Sequence, residues 1–289
     1  MKVLITGSTG QVGRALTASA PESIEVIATT RAELDIRDRD AVTDCVGRHL
    51  PDLIINAAAH TAVDQAESEP ELARSINELG AQNLAISARL NTCRMIQLST
   101  DFVFAGDAAE PYAPDTEPRP LSVYGSTKLA GEKAVLGELP GRSIVVRTAW
   151  VYSAVGNNFL LSMLRRMRER EPVRVVSDQT GTPTAADSVA ATVWALAVRP
   201  DIEGLYHWTD AGVASWYEFA VAIAEEATAI GLVNSLPDVV PIATEDYPTP
   251  ARRPRFSVLD THLTTTVTGI VPLHWRVRLR RVLGDLALD

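Results

Sequence analysis

A chain of 289 residues is long enough to bury a large core, and 46% apolar with 22% charged residues is an ordinary globular balance. Together these exclude wholesale disorder and a disulfide-stapled miniature fold. A formal net charge of −9 argues against a nucleic-acid partner, which needs a basic face to neutralise phosphates. No window approaches the ~20 apolar residues of a membrane span, so no membrane partner is expected either.

The opening stretch MKVLITGSTG has a single Lys and a short apolar run that passes straight into glycines, unlike a signal peptide. Cys45 and Cys93 lack paired spacing and read as reduced filler, with no disulfide and no metal site. A cytoplasmic protein is expected.

The first strand, KVLIT (2–6), runs into ITGSTGQVG, which sets Gly7, Gly10 and Gly13 as G-x-x-G-x-x-G between a strand and a helix. That placement suits a dinucleotide cradle: a tight turn, backbone close to a pyrophosphate, and a helix N-terminus facing the anion. The second strand, IEVIAT (24–29), leaves as ATTRAELD, with no acid before Glu33. Arg31 would welcome a 2′-phosphate that an acid would repel, so NADPH is favoured over NADH. Asp35 and Ile36 follow as candidates to flank the adenine, and Asp38 reads equally well as a helix cap.

After the third strand, DLIIN (52–56), the small residues Ala57, Ala58 and Ala59 let a cofactor lie against the backbone. His60 and Thr61 would face the site, with no proton chemistry assigned to His60. The fourth strand, RMIQLS (94–99), ends in Ser99 and Thr100, hydroxyls at the edge where open α/β sheets bind ligands. LSVYGSTKLAGEKAV (121–135) then carries Tyr124 and Lys128, i and i+4 neighbours on one helix face. A phenol titrates near 10; the ammonium is expected to lower that value and bring Tyr124 toward proton transfer. Lys128 could also hold the nicotinamide ribose, with Thr100 and Tyr124 meeting the charge that develops on a substrate carbonyl. Y-x-x-x-K alone is a common accident; its place after a strand-end Ser-Thr and downstream of a glycine loop gives it weight.

The fifth strand, SIVVRTA (143–149), completes a run of strands alternating with helical stripes of period near 3.6. The fold class is therefore α/β, a doubly wound parallel sheet of Rossmann type, with residues 1–150 as the dinucleotide-binding domain. From about residue 150 the rhythm loosens and prolines accumulate. Residues 151–289 read mainly as a smaller C-terminal substrate-binding lobe, in which PVRVV (172–176) and a helix over 186–199 could return to the main sheet. The clusters Arg165, Arg166, Arg168, Arg170 and Arg276, Arg278, Arg280, Arg281 read as solvated helix faces.

TGQVG (9–13), NAAAHTAVDQAE (56–67), STDFVFAG (99–106), VYGSTKLAGE (123–132), RTAWVY (147–152), DQTGTPT (178–184) and PTPARRPRFSVLD (248–260) occur in order along nearly the whole chain. On these stretches the chain resembles the extended short-chain dehydrogenase/reductases and, more narrowly, the dTDP-4-dehydrorhamnose reductase family, which reduces the 4-keto group of a nucleotide-linked deoxysugar. The resemblance implies Thr100, Tyr124 and Lys128 as the catalytic set, with Gln11, Val12, Asp35, Ile36 and Ala57 to Ala59 contacting NADPH or NADH. It implies Thr61, Val63, Thr100, Asp101 and Trp150 around a dTDP-sugar, with the diphosphate met by Arg252, Arg253 or Arg255, of which Arg253 is nominated. Ser99 and the glycine-loop residues complete the expected cofactor contacts.

Two departures carry information. Some relatives link subunits through a metal held by an acid soon after the glycine loop, where this chain has Arg14 and Ala15; a monomer or a homodimer is expected. Phe102 stands where sugar-nucleotide dehydratases carry an acid, which removes the carboxylate elimination would need. The implied reaction is reduction of dTDP-4-dehydro-L-rhamnose. Its rivals are a 4-ketoreductase for another dTDP-deoxysugar, of antibiotic-glycoside or streptose type, and a catalytically silent binding or regulatory relative.

Overall fold

The apolar runs of the first half become the parallel strands they predict. The computed structural model describes residues 1–169 and 172–288. In chain order come β1 (Lys2–Thr6), α1 (Gln11–Ala18), β2 (Glu25–Thr29), α2 (Arg39–His49), β3 (Leu53–Asn56) and α3 (Val63–Ser68). Next are α4 (Pro70–Arg74), a π-helical segment (Ser75–Gly80), α5 (Ala81–Leu90), β4 (Arg94–Thr100), a 3-10 turn (Asp101–Val103), α6 (Val123–Glu138) and β5 (Ser143–Thr148). The second half contains β6 (Val151–Tyr152), α7 (Phe159–Arg168), β7 (Val173–Val176), β8 (Thr180–Gly181), β9 (Thr184–Ala185) and α8 (Ala186–Ala197). It ends with β10 (Gly204–His207), β11 (Ala214–Ser215), α9 (Trp216–Ala229), β12 (Val239–Ile242), α10 (His262–Thr268) and α11 (Trp275–Leu288).

Six strands form the central sheet in the order β2-β1-β3-β4-β5-β10, all pairings parallel. Because strand side chains alternate, Val3 and Ile5 join one core and Leu4 the other, which is why these strands read as unbroken apolar runs. Leu16 of α1 and Val189, Val193 and Trp194 of α8 cover the first face. Val42 and Val46 of α2, Leu84 of α5 and Val135 of α6 cover the second. The strand order reverses between β1 and β3, so the loops leaving these two strands part and open a crevice at the sheet's C-terminal edge.

Asp38 caps α2, its side chain accepting from the Ala41 amide at 3.0 Å, an interaction worth about 1 kcal/mol. The helix expected over 186–199 forms as α8 and lies on the main sheet; the Trp194 indole donates to the Leu16 carbonyl at 3.1 Å. The strand expected at 172–176 forms as β7 but pairs in parallel with β12, outside the main sheet. Leu160 and Met163 of α7, Phe219 and Ile223 of α9, and Leu279 of α11 build a second core around that pair. The sheet's far edge is instead β10, four residues too short to give a periodic signal.

In the second arginine cluster Arg280 and Arg281 are exposed, as a solvated face requires, while Arg276 and Arg278 are partly buried. Arg276 and Arg280 pair with Glu226 of α9, and Arg278, with its side chain only 15% exposed, lies 3.1 Å from Asp187 and 3.6 Å from Asp210. In the first cluster Arg165, Arg166 and Arg168 are exposed in the last turn of α7, where they complement the helix dipole; Arg170 lies outside the described residues. Both cysteines are free thiols, Cys93 pushed up to about 12 by burial. Among the described residues no helix is long and apolar enough to cross a membrane.

Candidate active site

The first wall of the crevice is the turn after β1. Gly7 has φ 71°, and a Cβ there would lie 2.5 Å from the Ala58 amide nitrogen; a Cβ on Gly13 would lie 2.2 Å from the Gly7 carbonyl oxygen. Only glycine permits this approach of two loops and a helix start. No side chain caps α1 and its first turn holds no acid, so the amides there are available to an anion. Gln11 is held from the other lobe, its Oε1 accepting from Ser153 at 3.0 Å and from Asn158 at 2.9 Å. Val12 packs partly into the sheet core.

The second wall comes from the loops after β2 and β3. Gly7, Gly10, Arg31, Asp35, Ile36, Ala57, Ala58, Ala59 and Thr61 line one trough of about 450 Å³. Glu33 is turned back, accepting from the Thr30 amide at 2.8 Å. Arg37 donates to Asp35 through Nη2 at 2.5 Å, and Arg31 lies 3.9 Å from the same carboxylate. The acids near the end of β2 are thus engaged locally, which leaves a basic rim.

Structure adds two organisers to which the sequence assigned no role. Asn56, at the end of β3, accepts from Thr6 at 2.6 Å and from the Ala58 amide at 3.1 Å, and donates to Gln97 at 2.8 Å. Asn77, in the π-helical segment, accepts from the His60 amide at 2.8 Å and donates to Thr127 of α6 at 3.1 Å. An interrupted helix is a common way to aim such a side chain. Apart from the Ala58 amide, two residues on from Asn56, the partners lie 17 to 50 residues away, and no local spacing announces them.

Thr100, Tyr124 and Lys128 come together beyond the end of β4. Ser122 caps α6, accepting from the Gly125 amide at 3.2 Å, and a Cβ on Gly125 would meet the Phe102 carbonyl oxygen at 2.2 Å, so the helix seats directly on the turn after Thr100. Lys128 is 4% exposed and donates to the Leu98 carbonyl at 2.6 Å; burial draws its ammonium down to about 8, with Glu132 pulling the other way. Tyr124 is pushed up to about 12 by burial, against a smaller opposite pull from Thr100. The expected lowering of the phenol by Lys128 is therefore reversed, because desolvation penalises a buried phenolate more than neighbouring groups stabilise it.

Asp101 is buried and accepts from the Thr100 hydroxyl at 3.0 Å, while its Oδ2 has no hydrogen-bond partner among the described residues. Burial raises its carboxyl to about 6, against about 3.9 in an unfolded chain. Between those values the folded protein holds a proton the unfolded chain has lost, so this group's stability contribution is full below pH 4 and is lost as pH rises through 6. Asp101→Asn is expected to raise stability at pH 8 by about 3 kcal/mol and to change it little near pH 4. Denaturant melts at the two pH values check this, and an equal change at both would refute it.

Three further site residues have partners that the sequence did not indicate. The Ser99 hydroxyl donates to Glu132 on α6, which commits its proton and leaves its oxygen as an acceptor. Trp150 has φ 49° and stacks on Trp216 with ring centroids 3.5 Å apart and planes 3° from parallel; Trp216, at the start of α9, gave no signal in the sequence. Arg253 lines a second cleft of about 430 Å³ with Arg252, Arg255, Tyr247 and Gln179. It is tied there to Asp64 of α3 at 2.7 Å, beside the half-buried Val63. Burial alone would raise Asp64, but Arg253 and the Ala251 amide hold it below the ordinary carboxylate range.

Comparison with known proteins places this geometry in context. Residues 1–288 match the family described as RmlD substrate binding domain. The chain is 41% identical over 294 residues to the dTDP-4-dehydrorhamnose reductase of Escherichia coli (strain K12), covering 99% of this chain and 98% of that one. It superposes with a TM-score of 0.92 on a dTDP-4-dehydrorhamnose reductase of Clostridium acetobutylicum ATCC 824, at 38% identity over 99% of both chains. A second structure, the dTDP-4-dehydrorhamnose reductase of Bacillus anthracis str. Ames in complex with NADP, gives a TM-score of 0.92 at 35% identity over 98% and 99% of the two chains.

Proposed function

The chain belongs to the RmlD substrate binding domain family, and from that premise we propose that it is an NADPH-dependent reductase of the 4-keto group of dTDP-4-dehydro-L-rhamnose. What carries the reading is the convergence of Thr100, Tyr124 and Lys128 at the end of β4, on the same sheet edge as the strands whose loops wall the glycine trough. The residues fit the dinucleotide: the uncapped start of α1 offers amides to a pyrophosphate, Gly7 and Gly13 let the turn close against Ala58 and the helix start, and Arg31 suits a 2′-phosphate. When bound, NADPH supplies the hydride.

The protein's own part is to orient the ketone and deliver a proton. Tyr124 holds its proton at any physiological pH and releases it only to a base stronger than phenolate, which the alkoxide formed from a ketone is. Thr100 offers a second polar contact to the same oxygen, and Lys128 stabilises the phenolate left behind. Trp150 and Val63 supply flat and apolar walls for the sugar, and Arg253 a cation for the diphosphate. We place the activity in the cytoplasm, on a small-molecule dTDP-sugar, in a monomer or homodimer.

The test is loss of NADPH absorbance with dTDP-4-keto-6-deoxyglucose and an excess of the 3,5-epimerase, with the product sugar identified. dTDP-L-rhamnose is the expected product. A different deoxysugar would move the assignment to another 4-ketoreductase, and no oxidation of NADPH would overturn it. In parallel, NADH is expected to give a lower kcat/KM, and equal values would remove the role given to Arg31.

A further inference from the structure

Tyr124, Lys128 and Glu132 occur at successive four-residue steps of α6 and so share one face. That face lies against the last three residues of β4. Tyr124 lies against Thr100, Lys128 donates to the Leu98 carbonyl, and Glu132 accepts from the Ser99 hydroxyl. The third pairing has no part in the chemistry described so far, yet it is the most heavily built. Arg147 of β5 donates to Glu132 through Nε at 2.9 Å and Nη2 at 2.6 Å, with both side chains 2% exposed. Arg147 is itself fixed by the Pro114 carbonyl at 3.3 Å and by the Phe104 ring, 5.1 Å from its guanidinium. From β10, His207 places Nε2 at 3.4 Å from Arg147, and burial and that guanidinium draw its imidazole down to about 3, so it adds no charge.

Lys128 needs such a neighbour. A buried ammonium that donates to a neutral carbonyl, as Lys128 does to Leu98, tends to shed its proton. Glu132, one helical turn away on the same face, opposes that loss by its charge, acting at longer range than its direct ion pair with Arg147. We propose that Glu132 is the positioning residue and counter-ion of Lys128: pinned by Ser99 and Arg147, it fixes the helical turn that carries the ammonium and keeps that ammonium charged while Tyr124 gives up its proton. This rests on the reductase reading for its catalytic meaning, but its physical content concerns the protein without ligand.

The chain has only three lysines, Lys2, Lys128 and Lys133, so carbon-13 NMR of lysine-labelled protein can follow Lys128 directly, assigned by Lys128→Met. In Glu132→Gln, which keeps the shape and a hydrogen-bond acceptor, the Lys128 midpoint is expected to fall by about one pH unit or more. The basic limb of kcat/KM for NADPH oxidation should fall with it. Because Glu132→Gln leaves Arg147 without its carboxylate, the double variant Glu132→Gln/Arg147→Met removes both partners and secures a folded protein; its midpoint should also fall. An unchanged Lys128 midpoint in either folded variant overturns the proposal, since a purely structural Glu132 would lower yield or stability without moving it. Absence of turnover in the unaltered enzyme would instead overturn the reductase reading, while the NMR midpoint would still decide the coupling.

Discussion

Replacing Tyr124 with Phe is expected to lower kcat by about 10²–10⁴-fold, the usual contribution of a positioned proton donor, with little change in NADPH affinity. The ring would stay where it is: it packs edge-on to Phe102 at 5.5 Å and against Ala66 and Ala73, contacts a Phe side chain retains. Removing a buried hydroxyl from such a site should leave thermal stability nearly unchanged, so a fall in rate cannot be ascribed to unfolding. Single-turnover rates with NADPH fluorescence as a parallel binding readout check this, and undiminished turnover would show that the phenol is not the acid. The variant also separates donation from electrostatics. Lys128 and Thr100 remain in place, so whatever rate survives measures what they contribute to the developing charge without a proton.

The value of about 12 for Tyr124 changes how this pair works. The spacing of Tyr124 and Lys128 fixes which groups are neighbours, but not which physical effect prevails between them, because desolvation depends on Phe102, Ala66 and Ala73 closing around the ring from other segments. The same limit explains the other differences. Strands β1 to β5 are legible because each is rich in apolar residues and alternates with a helical stripe, and the glycine turn because its steric demands are local. β10 is not, since four residues show no period and join the sheet only through parallel pairing with β5. The place of Ser99 at a strand end is legible, but its hydrogen bond to Glu132, 33 residues later, is not. The sequence places Trp150 at a strand end but says nothing of Trp216, because a stacking partner 66 residues away is chosen by the fold of the second lobe.

Two glycine-to-alanine substitutions, each adding one methyl group, are expected to move the protein in opposite directions. Gly13→Ala puts its Cβ 2.2 Å from the Gly7 carbonyl oxygen and 2.8 Å from the Ser8 Cα, both backbone atoms that no rotamer change can clear. The turn must then lift away from α1. Overpacking of this kind costs about 1–3 kcal/mol or more, and here it also displaces Gly7, which is seated against Ala57 and Ala58 across the trough. The affinity for NADPH should therefore fall by more than about tenfold, a loss of about 1.4 kcal/mol, alongside the drop in stability. Gly47→Ala lies on the exposed side of α2, with nothing within 4 Å of the new Cβ. It should raise stability by up to about 1 kcal/mol through helix propensity alone, with NADPH binding unchanged. Equilibrium melts and NADPH titrations of the two variants check both halves. Retained NADPH affinity in a folded Gly13→Ala would mean that the close approach of Gly13 to Gly7 shapes the fold of the turn but does not set the cofactor cradle.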